Sequence, residues 1–146
     1  MEINKNIAVL GCGYWGRNLV RNFQALGALR MVCDPAEEGR KTARGIAPEA
    51  EISASFDEAL NHKSVAAVVI SAPAAHHYTL TKKALLAGKD VYVEKPLCLA
   101  LDEAQELVAL ADRLGHILMV GHLLQYHPCV EALHSLIGKG ALGKLH

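Results

Sequence analysis

The sequence predicts an α/β fold built on a doubly wound, six-stranded parallel sheet, and three observations lead there. Six short apolar runs alternate with helix-like segments along 146 residues, an order that calls for parallel pairing through right-handed crossovers. A glycine turn, Gly11-Cys12-Gly13-Tyr14-Trp15-Gly16, joins the first run to the first helix. The residues with chemistry to offer fall at the carboxyl ends of the runs, where such sheets bind ligands.

Ile7-Ala8-Val9-Leu10 is the apolar run that a fully buried parallel strand requires. Past the turn, Leu19, Val20, Phe23 and Leu26 recur at helical spacing, and Gly27 follows as a C-terminal stop. Leu29-Arg30-Met31-Val32-Cys33 is a second strand, ending on Asp34, 21 positions past Gly13. A G-x-G-x-x-G alone is a weak signal. Strand, glycine turn, helix, strand and acid in this register form the dinucleotide-binding fingerprint. Gly11 permits the tight turn, Gly13 lets the backbone approach a pyrophosphate, and Gly16 lets helix and strand pack closely. The helix N-terminus offers unpaired N–H groups and partial positive charge to the same anion. Tyr14 and Trp15 sit within the turn and join the expected cofactor contacts. Trp15 either walls the pyrophosphate or packs beneath the next helix, and core packing is the expected outcome.

Asp34 has two candidate roles. With Pro35 beside it, it is suited to cap the polar helix that carries Glu37 and Glu38 and runs to about Arg44. In register with the glycines, it is suited to accept from ribose hydroxyls. The two are compatible, because a carboxylate has about four acceptor sites. A carboxylate here repels a 2′-phosphate, which points to NAD over NADP.

Glu51-Ile52 is a brief third strand, and Ser55-Phe56-Asp57-Glu58 reads as a capping box opening a helix through about Asn61. Val65 to Ile70 is the fourth strand, apolar throughout and therefore central; Ser71-Ala72-Pro73 turns over the sheet's carboxyl edge. A helix from about His76 to Ala87 stops at Gly88. Asp90-Val91-Tyr92-Val93 is the fifth strand, with Glu94-Lys95-Pro96 at its end. Leu101, Ala104, Leu107, Val108, Ala111 and Leu114 mark the longest amphipathic helix, closed by Gly115. Ile117 to Val120 is the sixth strand and leads to Gly121-His122. All these strand ends are expected to share one crevice.

Composition narrows the function. Fifteen basic residues balance fifteen acidic ones, so no field exists to attract nucleic acid or an anionic membrane. A hydrophobic content of 51% excludes disorder, and no apolar run reaches the roughly 18 residues of a membrane span. Met1 to Asn6 shows no signal-peptide pattern, so a cytoplasmic location is expected. Cys12, Cys33, Cys98 and Cys129 form no C-x-x-C pair and are expected as thiols; the eight histidines form no metal-ligand spacing.

From Ser71 onward the chain resembles the N-terminal domain of the glucose–fructose oxidoreductase/inositol dehydrogenase (Gfo/Idh/MocA) family. That family's T-P-x-x-x-H is matched by Ser71-Ala72-Pro73-Ala74-Ala75-His76-His77, with His77 in the histidine position. Its A-G-K-x-V-x-x-E-K-P is matched by Ala87-Gly88-Lys89-Asp90-Val91-Tyr92-Val93-Glu94-Lys95-Pro96. Gly121 to Pro128 resembles the segment leading into the family's substrate domain. Gly13 to Asn18 with Tyr126-His127-Pro128 looks most like bacterial nucleotide-sugar dehydrogenases, which oxidise the 3-hydroxyl of UDP-N-acetylglucosamine-type sugars. One departure is Ala100, where members often carry a Thr N-cap.

The resemblance implies a Rossmann domain over 1–121, with 122–146 as a linker helix and the start of a substrate domain that this sequence lacks. That domain's first strand is expected at Leu142 to His146. Val130, Leu133, Leu136 and Ile137 recur at helical spacing in the linker, and some of them are expected to be uncovered. A homo-oligomer is expected at full length. The implied activity is NAD-dependent oxidation of a secondary alcohol on a sugar or nucleotide sugar; the alternative is a non-catalytic NAD-binding module.

Lys95 is the candidate base. Alcohol oxidation needs an acceptor for the hydroxyl proton, and a lysine can serve if burial pulls it toward neutrality. Pro96 biases Lys95 to extended backbone aimed into the crevice. In the family this lysine is the base or a substrate-positioning cation, and the glutamate before it, here Glu94, contacts the cofactor side. Without the resemblance, Glu94 and Lys95 also read as a solvated pair at a strand end. His77 either lines the cofactor cleft or is satisfied within its helix, and His122 faces substrate or nicotinamide. Ser71, Ala72 and Pro73 are expected beside the nicotinamide half.

Overall fold

The computed structural model describes residues 6–144. Six strands, β1 (Ile7–Leu10), β2 (Leu29–Cys33), β3 (Glu51–Ser53), β4 (Ala67–Ile70), β5 (Asp90–Val93) and β6 (Leu118–Val120), form one sheet. Their order is β3-β2-β1-β4-β5-β6 and every pairing is parallel. The apolar strands β1 and β4 lie at the centre, as their composition requires.

Strand alternation divides the core in two. Val9, Val32 and Val69 meet Leu19 and Val20 of α1 (Gly16–Ala25) and Ala43 of α2 (Glu37–Ile46) on one face. Leu10, Ile70, Val91 and Val93 meet the other three helices on the opposite face. These are α3 (Phe56–Asn61), α4 (His77–Leu86) and α5 (Leu101–Leu114), which contribute Leu60, Leu85 and Leu107. This is the doubly wound Rossmann arrangement.

The ladder continues one rung past the strands, and that rung places the site. Asp34 N donates to Ser53 O (3.0 Å), Gly11 N to Cys33 O (2.8 Å), Ser71 N to Leu10 O (2.9 Å), Glu94 N to Ile70 O (2.9 Å) and Gly121 N to Val93 O (2.8 Å). Five residues singled out at strand ends are thus each pinned by the neighbouring strand.

Several local expectations are corrected. Asp34 does not cap α2, whose N-cap is Ala36; both Asp34 oxygens are committed elsewhere. Ser55 occupies the N-cap of α3, but its hydroxyl makes no cap bond. Instead Ser53 Oγ accepts from Ser55 N at 2.9 Å and closes the turn. A 3₁₀ turn over Ala74–His76 precedes α4, so the α-helix starts at His77. In α5 only Leu107, Leu110 and Ala111 are buried, and Leu101, Val108 and Leu114 are exposed. That helix lies toward the sheet edge against α4, so its buried stripe is narrower than its apolar one.

Beyond β6, a 3₁₀ turn (Leu123–Tyr126) precedes α6 (Pro128–Gly138), which has no buried residue. His127 accepts from Cys129 N at 3.2 Å and Pro128 stands at N1, a complete N-terminal signal. Leu133, Leu136 and Ile137 are exposed, as expected, and Val130 is half-buried. Leu142 to Lys144 form no strand, and Leu145 and His146 lie outside the described residues. No helix among the described residues is long and apolar enough to cross a membrane.

Candidate functional site

The carboxyl edge of the sheet carries two adjoining pockets rather than one crevice. One, about 750 Å³, is lined by Gly11, Gly13, Tyr14, Asp34 and Pro73 among others. The other, about 740 Å³, is lined by residues including Trp15, His77, Glu94, Lys95 and His122. Ser71 and Ala72 line both and form the wall between them. Each volume lies within the range of small-molecule sites, and two compartments with a shared wall suit a ligand of two linked halves.

The first pocket is laid out by the glycine turn. Gly11 has φ +98°, and a Cβ there would stand 3.0 Å from the Ser71 backbone. A Cβ on Gly16 would stand 2.2 Å from Gly11 O and 2.5 Å from Ser71 Oγ, so no side chain fits beneath the turn. Ser71 Oγ donates to Gly11 O at 2.8 Å and ties the turn to the end of β4. A Cβ on Gly13 would meet nothing within 4 Å. The turn's outer surface is therefore open to a ligand at Gly13 and closed to any side chain at Gly16. Tyr14 is exposed, with the Arg17 guanidinium 4.9 Å from its ring centroid.

Asp34 is 8% exposed. Its Oδ2 accepts from Cys12 N at 2.7 Å and its Oδ1 from Ala36 N at 2.8 Å. Each oxygen retains a lone pair for a ligand hydroxyl. The carboxylate thereby holds the glycine turn to β2. Burial, helped by the nearby Asp34 charge, pushes the Cys12 thiol up. Gly39 makes the arrangement possible, since a Cβ there would sit 2.3 Å from the Asp34 carboxylate. Arg40 Nη1 donates to Asp34 O and Pro35 O at 2.8 and 2.7 Å, and its guanidinium pairs with Glu37.

The second pocket is built from side chains. Trp15 does not pack into the core as expected. It is 43% exposed, and its Nε1 donates to Glu94 Oε1 at 2.8 Å. An indole N–H facing a carboxylate is better satisfied there than beneath an apolar helix. Glu94, 9% exposed, also receives Tyr92 OH on the same oxygen at 3.1 Å. Burial first, then the Glu94 charge and this hydrogen bond, push the Tyr92 hydroxyl up to about 12. Lys95 is exposed, so the condition of burial is not met. Glu94 takes the covered position, and its neighbour along the chain falls on the open side.

His77 is 1% exposed and both of its ring nitrogens are committed. Nδ1 lies 2.6 Å from Pro96 O and Nε2 lies 2.8 Å from Ala72 O. Both partners of the ring are backbone carbonyl oxygens, one in each loop. Its place is to clasp the loop after β5 to the turn after β4. His122 is exposed on the pocket rim.

Sequence reasoning missed Gly39, Tyr92 as a Glu94 partner, and the lining residues Phe56, Thr79 and Gln125. A glycine inside a helix costs about 1 kcal/mol relative to Ala, so Gly39 carried a readable request for a packing reason. Phe56 follows the carboxyl end of β3 and was open to the rule that flagged the other strand ends.

Comparison with known proteins gives the family. Residues 5–122 match the sequence profile of an oxidoreductase family with an NAD-binding Rossmann fold, Gfo/Idh/MocA. A 2,7-anhydro-N-acetylneuraminate hydratase of Mediterraneibacter gnavus is 29% identical over 140 residues, 94% of this chain and 37% of its own length. A UDP-N-acetylglucosamine 3-dehydrogenase of Acidithiobacillus ferrooxidans is 31% identical over 135 residues, 91% of this chain and 42% of its own. The crystal structure of GenD2 from gentamicin A biosynthesis, in complex with NAD, superposes with a TM-score of 0.88 at 30% identity. It covers 100% of this chain and 42% of that one. The chain spans about two fifths of the length of these relatives.

Proposed function

We propose, for a chain that belongs to the Gfo/Idh/MocA oxidoreductase family, that its NAD-binding domain serves the oxidation of a secondary alcohol on a sugar or nucleotide sugar. The observation that carries this reading is the shared wall at Ser71 and Ala72. It sets a pocket lined by the glycine turn and Asp34 beside one that holds a carboxylate, an amine and an imidazole. NAD supplies the hydride acceptor when bound.

The chain's own residues do the rest. Gly11 and Gly13 shape the turn that receives the pyrophosphate, and Gly16 lets α1 approach so that its N-terminus faces the same anion. Asp34 offers its remaining lone pairs to ribose hydroxyls and disfavours a 2′-phosphate, which supports NAD over NADP. Glu94, held by Trp15 and Tyr92, faces the second pocket beside Lys95. Lys95, unpaired among the described residues, takes the hydroxyl proton or holds the alcohol by charge. His122 borders the same space. We assign residues 1–121 to the cofactor domain and 122–146 to a linker helix and the start of a substrate domain, a division supported by the absence of any buried residue in α6.

The test is a calorimetric titration with NAD, followed by NADH formation from sugar and nucleotide-sugar alcohols in any longer native product. NAD binding with Lys95-dependent NADH formation is expected. Binding without alcohol-dependent NADH from that product overturns the dehydrogenase reading and leaves the cofactor site standing.

A further inference from the structure

The second pocket contains a hydrogen-bonded group that neither the glycine fingerprint nor the strand-end residues explain. Trp15 belongs to the glycine turn, yet its indole reaches across 79 positions of sequence to Glu94. Tyr92 points its hydroxyl at the same carboxylate oxygen from two residues away. Gly121 clears the space for this. A Cβ there would stand 2.5 Å from Tyr92 OH and 3.1 Å from Glu94 Oε1. The backbone of Glu94 is pinned to Ile70 O, so only its side-chain torsions remain to be set. Two donors converging on Oε1 set them. Oε2 receives no hydrogen bond from a described residue and is left for the pocket that Glu94 lines.

We propose that Trp15 and Tyr92 are positioning residues that hold Glu94 with its second oxygen presented to the pocket, as acceptor for a hydroxyl on the nicotinamide-ribose half of the cofactor. The proposal rests on the reading of this site as an NAD site. A carboxylate already oriented spares the ligand the cost of ordering a rotamer-rich side chain. Releasing it weakens binding roughly three- to tenfold. The two positioning residues differ in reach. Tyr92 fixes Glu94 from its own strand, and Trp15 fixes it from the turn that faces the other pocket, so neither motif contains the device alone.

The experiment compares NAD with ADP, which lacks the second ribose, by calorimetry on the 146-residue chain. In Trp15→Phe and Tyr92→Phe the NAD dissociation constant is expected to rise roughly three- to tenfold while that for ADP changes less than about twofold. Glu94→Gln retains a carbonyl for both donors and turns an amide N–H₂ to the pocket, so it is expected to lose NAD affinity while keeping ADP. The double variant Trp15→Phe/Glu94→Gln is expected to be no weaker than Glu94→Gln. That non-additivity marks a residue acting through another, and a merely structural tryptophan would not produce it. If Trp15→Phe fails to fold, Tyr92→Phe, which removes a single oxygen, decides the matter. NAD and ADP affinities falling together, NAD affinity unchanged, or additive losses in the double variant overturn the positioning role. A parent chain that binds ADP but not NAD overturns the reading of the site, and the positioning role with it.

Discussion

The two pockets were assembled by different means from the same sheet edge. The first is laid out by the glycine turn, whose geometry follows from missing side chains at Gly11, Gly13 and Gly16. In the second, the facing atoms belong to Trp15, Glu94, Lys95 and His122, which come from three separate segments of the chain. A backbone site leaves a fixed spacing in the sequence, because each glycine answers a steric demand a few residues away. A side-chain site leaves only the residues, and their partners are found by the fold.

The largest expected effect breaks the first pocket from beneath. Gly16→Val places a Cβ 2.2 Å from Gly11 O and 2.5 Å from Ser71 Oγ, and the backbone oxygen cannot move aside. Overpacking of this kind costs roughly 1–3 kcal/mol and sometimes more, so the variant should unfold at markedly lower denaturant and bind no NAD. Gly13→Ala sharpens the contrast. Its Cβ meets nothing within 4 Å, so stability should stay within about 0.5 kcal/mol while NAD affinity falls. Equal destabilisation by the two substitutions would show that the glycines share one packing role.

That contrast also explains how much was legible in advance. The fingerprint, the strand ends and Asp34 were readable because the ladder pins Asp34, Gly11, Ser71, Glu94 and Gly121 one rung past their strands. Their places follow from where strands end, and apolar runs mark that well. The bond from Trp15 to Glu94 was not readable. An aromatic after a glycine turn packs inward in most settings, and only the spatial approach of β5 to the turn supplies a carboxylate instead. His77 was readable as a helix start but not as a clasp, because its partners are carbonyls, which every residue possesses. Asp34 shows the middle case. Its register revealed its importance, and its tie to Cys12 N emerged only with the turn in place.

The next effect concerns Asp34. Asp34→Ser removes a charged acceptor of two backbone N–H groups at 2.7 and 2.8 Å, bonds of the class worth roughly 1.5–3 kcal/mol. NAD affinity should fall about tenfold or more. NADP affinity should fall less, because repulsion of its 2′-phosphate disappears together with the ribose contacts. The ratio of the two dissociation constants, read by parallel titrations, is the measurement. An unchanged ratio would assign Asp34 to holding the turn and remove it from cofactor choice.

A pH experiment tests both halves of the molecule. Cys33 is the last residue of β2, where burial pushes its thiol up to about 12, and Tyr92 is bonded to Glu94 beside the second pocket with its hydroxyl also raised to about 12. A group whose folded value exceeds its unfolded one keeps its proton in the native state after the unfolded chain has lost it. Its contribution is complete below the ordinary values of 9.0 for Cys and 10.0 for Tyr, and is lost as pH climbs toward 12. Stability should therefore be level up to about pH 9 and fall above it, the Cys33 part with a slope approaching 1.4 kcal/mol per pH unit. Cys33→Ala should flatten the part that begins near pH 9, and Tyr92→Phe the part that begins near pH 10. Alkaline unfolding curves unaffected by either substitution would place the sensitive groups elsewhere.

The smallest expected effect falls on the residue with the most chemistry assigned to it. Lys95 follows Glu94 directly and lines the same pocket, yet the two differ in burial and in partners. Glu94 is nearly buried and receives two donors, whereas Lys95 is exposed and makes no hydrogen bond or ion pair among the described residues. Substitutions at such positions usually stay within about 0.5 kcal/mol, because no partner is orphaned and no cavity opens. Lys95→Met should therefore leave thermal unfolding and ADP affinity as they are, and any loss should appear only where an alcohol is bound or oxidised. Glu94→Ala serves as the contrast, since it strands the Trp15 N–H and the Tyr92 hydroxyl and should cost roughly 1–3 kcal/mol. Matching losses from the two would mean that Lys95 is held by contacts as firm as those of its neighbour, and the free amine assigned to it for proton transfer would not exist.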